Sequence, residues 1–167
     1  MLSYRPTDLD KDRDFIMLMH SLGRFENDST SVRIGDLAAY RAWWGHTSQS
    51  DEFLELLKSS LEDERTIAEI WEEDGRPVAF LWVVFSRIAG YEVTVAEVND
   101  LEVVQSHQRL GIGTMLLQHA EQMARERGAD LLRSEAGVEN DAYQGLHRKL
   151  GLSPYRTRFE KRLEAAE

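Results

Sequence analysis

The stretch "HQRLGIGTML", residues 107–116, sets Gly111 and Gly113 between a loop-like segment and an amphipathic run. Glycine lacks a Cβ, so backbone N–H groups there can turn toward a ligand and approach it closely. The run that follows predicts a helix from near Gly113, with Leu116, Ala120, Met123 and Ala124 on one face and Gly128 as its end. A helix N-terminus carries unpaired donors and the positive end of the dipole, which suits a phosphate. The segment points to a phosphate-bearing cofactor; a plain tight turn from strand to helix is the alternative. A dinucleotide fingerprint needs glycine or alanine where Leu116 stands. A P-loop needs Gly-Lys where Leu116 and Leu117 stand, so that class is excluded.

Upstream of the glycines, "TVAEVNDLEVV" predicts a strand over 94–104 that carries three carboxylates and an asparagine. "RTIAEIWEEDGRPVAFLWVVF" reads as two strands joined by a hairpin turn at Asp74-Gly75, with Val78 to Phe85 buried on both faces. Toward the N-terminus, "SYRP" begins as a strand. Thr7 then caps a helix whose apolar positions run from Leu9 to Leu22 and which Gly23 stops. Residues 24–35 read as a loop, followed by helices near 36–44 and 51–62. Downstream, "ADLLRSEAGV" is a strand, residues 141–150 a helix stopped by Gly151, and "RTRFEKRL" a closing alternating strand. The order describes a mixed α/β sheet in a single domain over 1–167.

The composition, 42% hydrophobic and 30% charged, is that of a soluble globular protein. The chain has no cysteine, which excludes disulfides, thiolate metal sites and a cysteine nucleophile. His20, His46, His107 and His119 form no metal-ligand spacing with one another, so no metal is expected. The first ten residues lack the apolar stretch of a signal peptide, and no apolar run approaches the roughly 20 residues of a membrane span. A cytoplasmic location without membrane association is the resulting expectation. A formal charge of −10 argues against a general nucleic-acid binder and is compatible with a cationic substrate.

Three segments in register carry a resemblance. "QRLGIG" resembles the Gln/Arg-x-x-Gly-x-Gly/Ala signature of the GCN5-related N-acetyltransferase (GNAT) superfamily. "NDLEVV" falls where that family has its fourth strand, commonly "EDLYV", and "VENDAYQGLHRKLGL" is similar to its "NxxAxxLYxKxGF" segment. The resemblance implies a GNAT fold: α/β, with a mixed, mostly antiparallel central sheet of six to seven strands flanked by helices. It also implies acetyl-CoA as co-substrate. Gln108, Arg109, Leu110, Gly111, Ile112, Gly113 and Thr114 would then wrap the pyrophosphate. Leu101 and Val103 would offer strand backbone to the pantetheine arm and acetyl carbonyl. Asn140 would contact the arm, cap the last helix, or do both.

Acetyl transfer to an amine requires a base for the ammonium proton, donors for the developing oxyanion, and an acid for the thiolate. Plain alternation along 94–104 puts Glu97, Asn99 and Leu101 on one face and Val98, Asp100 and Glu102 on the other. Glu97 stands six residues before Val103, where histone-type members of the superfamily carry their base; the alternative is a merely paired or solvated carboxylate. Asn99 replaces an acidic residue found in many members, and Asp100 is the second candidate base. His147 occupies the place of the family's acidic tyrosine; it is either the acid or structural, with Tyr143 and Tyr155 as alternative hydroxyl donors. Trp43 and Trp44 line the acceptor pocket, pack in the core, or form a homodimer surface. The expectation is direct acetyl transfer to a primary amine of a small molecule, cationic in one version, or of a protein. A non-catalytic acyl-CoA-binding sensor or interaction module on the same fold is the alternative.

Overall fold

The computed structural model describes residues 1–28, 32–33, 35–161 and 163. One sheet organises it. Its five strands, β1 (Leu2–Pro6), β2 (Thr66–Glu73), β3 (Arg76–Ile88), β4 (Val93–Val103) and β5 (Leu131–Ser134), lie in sequence order. Every pairing is antiparallel except β4 with β5, which is parallel and therefore needs a crossover. That crossover is α4 (Ile112–Glu126), reached through a short 3-10 turn over Gln105–His107. The β2–β3 hairpin turns at Asp74 (φ 51°) and Gly75 (φ 75°), the paired left-handed residues that match strand twist.

Two apolar layers cover the sheet. On one face Leu81, Val83, Ala96, Val98, Leu101 and Val103 pack with Ile112, Leu116, Leu117 and Ala120 of α4. Tyr143 and Leu146 of α5 (Asp141–Lys149) join this layer. On the other face Ile70, Phe80 and Trp82 meet α1 (Leu9–Asn27), α2 (Leu37–Trp44) and α3 (Ser48–Leu61). The third strand is consequently buried on both faces, as its unbroken apolar run requires.

Four expectations are corrected. Asp8, not Thr7, caps α1, its side chain accepting from the amide of Asp10 at 3.1 Å. Gly23 does not end that helix, which runs on to Asn27 and takes in the first part of the expected loop; positions 29–31 and 34 of that loop lie outside the described residues. Gly23 serves packing instead: a Cβ there would sit 2.1 Å from an oxygen of Glu102. The alternating segment 156–163 forms no strand among its described residues, position 162 lying outside them. Phe159 is 93% exposed, so the alternation has no face to bury, and the sheet has five strands rather than six to seven.

The fourth correction decides the site. In the β3–β4 register Trp82 faces Asp100 while Val83 faces Val98, leaving Asn99 as an extra, exposed residue. This bulge shifts the phase of the strand by one residue. Glu97 pairs with Val84, Asp100 with Trp82 and Glu102 with Phe80, so all three carboxylates share the α1–α3 face. Leu101 shares the α4 face with Val98.

Candidate active site

Strand β5 accompanies β4 only from Val95–Leu131 to Val98–Ser134, then stops, while β4 continues to Val103. The two strands fork at the bulge. Val104 donates its amide to Val78 of β3. By alternation, the peptide groups of Leu101 and Val103 face the open side of the fork. One of them is already in use, since Gln108 Nε2 donates to the carbonyl of Val103 at 3.2 Å. An open edge of this kind takes an extended, amide-bearing chain by strand-like pairing.

The glycine loop closes the lower end of the fork. Arg109 (φ 65°) and Gly111 (φ 89°) both adopt left-handed backbone, and Gly111 is the N-cap of α4. No side chain caps this helix and no acidic residue lies in its first turn. The first bond into the loop runs from Met115 to the Gly111 carbonyl, so the amides of Ile112, Gly113 and Thr114 lack partners within the helix. Leu110 is 69% exposed beside them. At Gly113 a Cβ would come no closer than 3.6 Å to Leu146, an ordinary van der Waals contact. Uncapped, dipole-aligned donors beside an open strand edge fit a pyrophosphate followed by a pantetheine arm.

Helix α5 lies against the same fork. Asn140 caps it, accepting from the Tyr143 amide at 3.1 Å and donating to Asn27 Oδ1 at 3.3 Å. The Tyr143 hydroxyl is 3.0 Å from Ser134 Oγ, at the last paired residue of β5, and burial pushes its pKa up. His147 Nδ1 is 2.8 Å from the Tyr143 carbonyl; because a carbonyl only accepts, Nδ1 carries the proton. Its Nε2 is buried and has no partner among the described residues, and burial pulls the imidazole pKa down. Tyr155, the third hydroxyl considered, is exposed on the segment after α5, under the guanidinium of Arg133.

Across the sheet a cleft of about 520 Å³ opens between α1, α3 and the bulge, walled by His20, Trp44, Phe53, Trp82, Asn99 and Asp100. Trp44 is buried and lines it; Trp43 is exposed. Glu97 is half-buried in the paired part of β4, before the fork. Beyond the fork, His20 Nδ1 lies 3.0 Å from each carboxylate oxygen of Asp100. The sequence gives no signal for this pair, whose members stand 80 residues apart and meet through the bulge. Glu102 lies buried under Gly23, and burial, with Asp100 and Glu26 nearby, holds its carboxyl well above the usual range. Glu26, also raised by burial, accepts from Gln108 Nε2 at 3.3 Å and so ties α1 to the glycine loop.

Solved structures share this fold. The chain is similar over 98% of its length, at 22% identity and TM-score 0.71, to a GCN5-related N-acetyltransferase from Ralstonia eutropha JMP134, of which 99% is covered. It is similar to glucosamine-6-phosphate N-acetyltransferase from Arabidopsis thaliana at 16% identity and TM-score 0.63, covering 98% of this chain and 99% of that one. AAC(6')-Iy in complex with the bisubstrate analog CoA-S-monomethyl-acetylneamine matches at 15% identity and TM-score 0.68, with 99% of each chain covered. These likenesses show a shared fold. No curated protein sequence matches the chain. The family model for the acetyltransferase (GNAT) family matches residues 31–152, which includes the bulged strand, the glycine loop and α5. The chain belongs to the GNAT family of acetyltransferases.

Proposed function

We propose that this protein moves the acetyl group of acetyl-CoA to a primary amine, of a small molecule or a protein, by direct attack in a ternary complex. The observation that carries the reading is the uncapped N-terminus of α4 beside the part of β4 that β5 leaves unpaired. Gln108 through Thr114 hold the pyrophosphate, and Leu101 and Val103 pair with the arm and the acetyl carbonyl. Asn140, while capping α5, adds a polar contact to that arm. The chain has no cysteine to carry an acetyl group, which favours direct transfer.

When bound, acetyl-CoA supplies an activated acyl group on a good leaving thiolate. The protein's own groups hold it and manage protons. Of the two residues of α5 at the fork, Tyr143 is the candidate acid for the sulfur, its hydroxyl standing 3.0 Å from Ser134 Oγ at the end of β5. His147, with its proton committed to the Tyr143 carbonyl, orients that turn of helix in this state. On the amine side the candidate bases are Asp100, which lines the cleft, and Glu97, which shares that face of the sheet. Two neighbours of the same fold are named for amino-sugar substrates, glucosamine 6-phosphate and an acetylneamine analog, which supports a small-molecule acceptor.

Calorimetry with acetyl-CoA on wild type and Gly113→Leu tests the cofactor site. The structure has room for a Cβ at Gly113, and circular dichroism of the variant checks that it folds. Its affinity should drop at least about tenfold, the equivalent of roughly 1.4 kcal/mol. Undiminished affinity in a folded variant contradicts the assignment.

A further inference from the structure

Within the proposed acetyl transfer, on which this rests, we infer that His20 is the base for the acceptor amine and Asp100 its positioning residue. The pair is built as such a base is built. The Asp100 side chain is 6% exposed and that of His20 17%, so the carboxylate is sealed in while the imidazole reaches the cleft. Nδ1 sits 3.0 Å from both carboxylate oxygens, which fixes the Nδ1–H tautomer and leaves the Nε2 lone pair as the basic atom. Phe53 stacks on the ring at 3.6 Å and 9°, holding its plane, and Trp44 closes a second side. Among the described residues no hydrogen bond engages Nε2.

Placement favours this pair over Glu97. Asp100 immediately precedes Leu101, whose peptide group faces the open fork, whereas Glu97 lies three residues earlier where β4 is still paired with Arg133 of β5. Asn99 and Asp100 line the cleft and Glu97 does not. The other charged groups lining the cleft are Arg24 from α1 and Glu52 from α3, with Trp44 from α2, and Glu102 of β4 lies buried near Asp100. Protons and bonds balance as follows. An ammonium gives one proton to His20 Nε2, which returns it to solvent. The freed amine forms a C–N bond as the thioester C–S bond breaks, and the second nitrogen proton ends on the sulfur.

The test combines a spectroscopic and a kinetic arm on the full chain. Long-range ¹⁵N–¹H spectra should show His20 protonated at Nδ1 and bare at Nε2. Acetyl-CoA turnover is then followed against pH with spermidine, kanamycin, glucosamine 6-phosphate and tryptamine, using the best of the four. His20→Gln should lower kcat by about 10²-fold or more, the scale of a lost general base, and abolish the acidic limb. Its acetyl-CoA affinity should stay unchanged. Asp100→Asn should lower kcat with acetyl-CoA affinity unchanged and mix the two ring tautomers in the spectra, since the carboxylate that fixes Nδ1–H is gone, while retaining an acidic limb. Glu97→Gln should keep it in place. An Nε2–H tautomer, a His20→Gln variant with the wild-type rate and limb, or loss of the limb in Glu97→Gln overturns the assignment. A wild type that binds acetyl-CoA but acetylates none of the four amines also overturns it, leaving the cofactor reading intact. Failure to bind acetyl-CoA is a separate result and removes the proposed function itself.

Discussion

Gly23 and Glu102 show how much one missing methyl group decides. An interior helical glycine ordinarily costs about 1 kcal/mol relative to alanine, yet here the bare Cα is what lets a buried carboxyl lie beneath α1. Gly23→Ala should therefore destabilise the wild type, but stabilise a Glu102→Ala background by about 0.5–1 kcal/mol through helix propensity. Urea melts of the four proteins check the reversal of sign. Stability should also depend on pH through Glu102. Its folded pKa lies above the unfolded value of 4.5, so the folded state holds its proton longer. That contribution is intact below 4.5 and is lost as pH rises toward the folded pKa. Glu102→Gln should accordingly gain on the wild type as pH rises through that window; a gap that stays constant contradicts the buried-carboxyl account. Neither feature was legible in the sequence, where Gly23 reads as a helix stop. Gly111 was legible, because its left-handed backbone is a local demand that only the chain around it has to satisfy.

At the level of elements, β4 carries the account. Its existence followed from its apolar residues, as did its place before the glycine loop. The faces of its carboxylates did not, because alternation assumes unbroken pairing and a bulge is a property of two strands together. The error ran through Asn99: one extra residue gathered Glu97, Asp100 and Glu102 on one face. The last expected strand failed for the opposite reason. Residues 156–163 alternate, but alternation without a face to cover makes no strand, as the exposure of Phe159 shows. Removing Asn99 tests the role of the bulge. The deletion keeps every flanking side chain on its face but straightens the backbone at the fork. It should leave acetyl-CoA binding within a few-fold and reduce turnover by about 10²-fold, the usual consequence of an ångström-scale misplacement. Parallel titration and turnover measurements read this out, and a deletion variant with wild-type turnover would show the bulge to be irrelevant to catalysis.

For the whole molecule the charge balance matters most, with 30 acidic against 20 basic residues. That excess is compatible with steering of a cationic acceptor, and the folded protein sets Glu52 and Asp100 against Arg24 within the cleft itself. Polycationic amines should show higher kcat/KM than neutral or acidic ones, with the advantage shrinking as the screening length falls from about 30 to 8 Å with added salt. A panel in which anionic amines win, or in which salt changes nothing, rules out steering. The family itself was legible because three motifs in register span the strand, the loop and α5. The acceptor was not, since the cleft proposed for it is assembled largely from helices whose sequence carries no motif.

The central claim is acetyl transfer from acetyl-CoA to a free amine without an acetylated protein on the way. The most direct measurement is mass spectrometry of wild type incubated with acetyl-CoA and the amine panel, with free thiol followed in parallel. The account predicts an acetylated amine and free CoA in equal amounts, formed only when both substrates are present, and no acetyl adduct on the chain in acetyl-CoA alone. Tight binding with no acetylated product, or an acetyl group on the protein that is then passed to the amine, would contradict it.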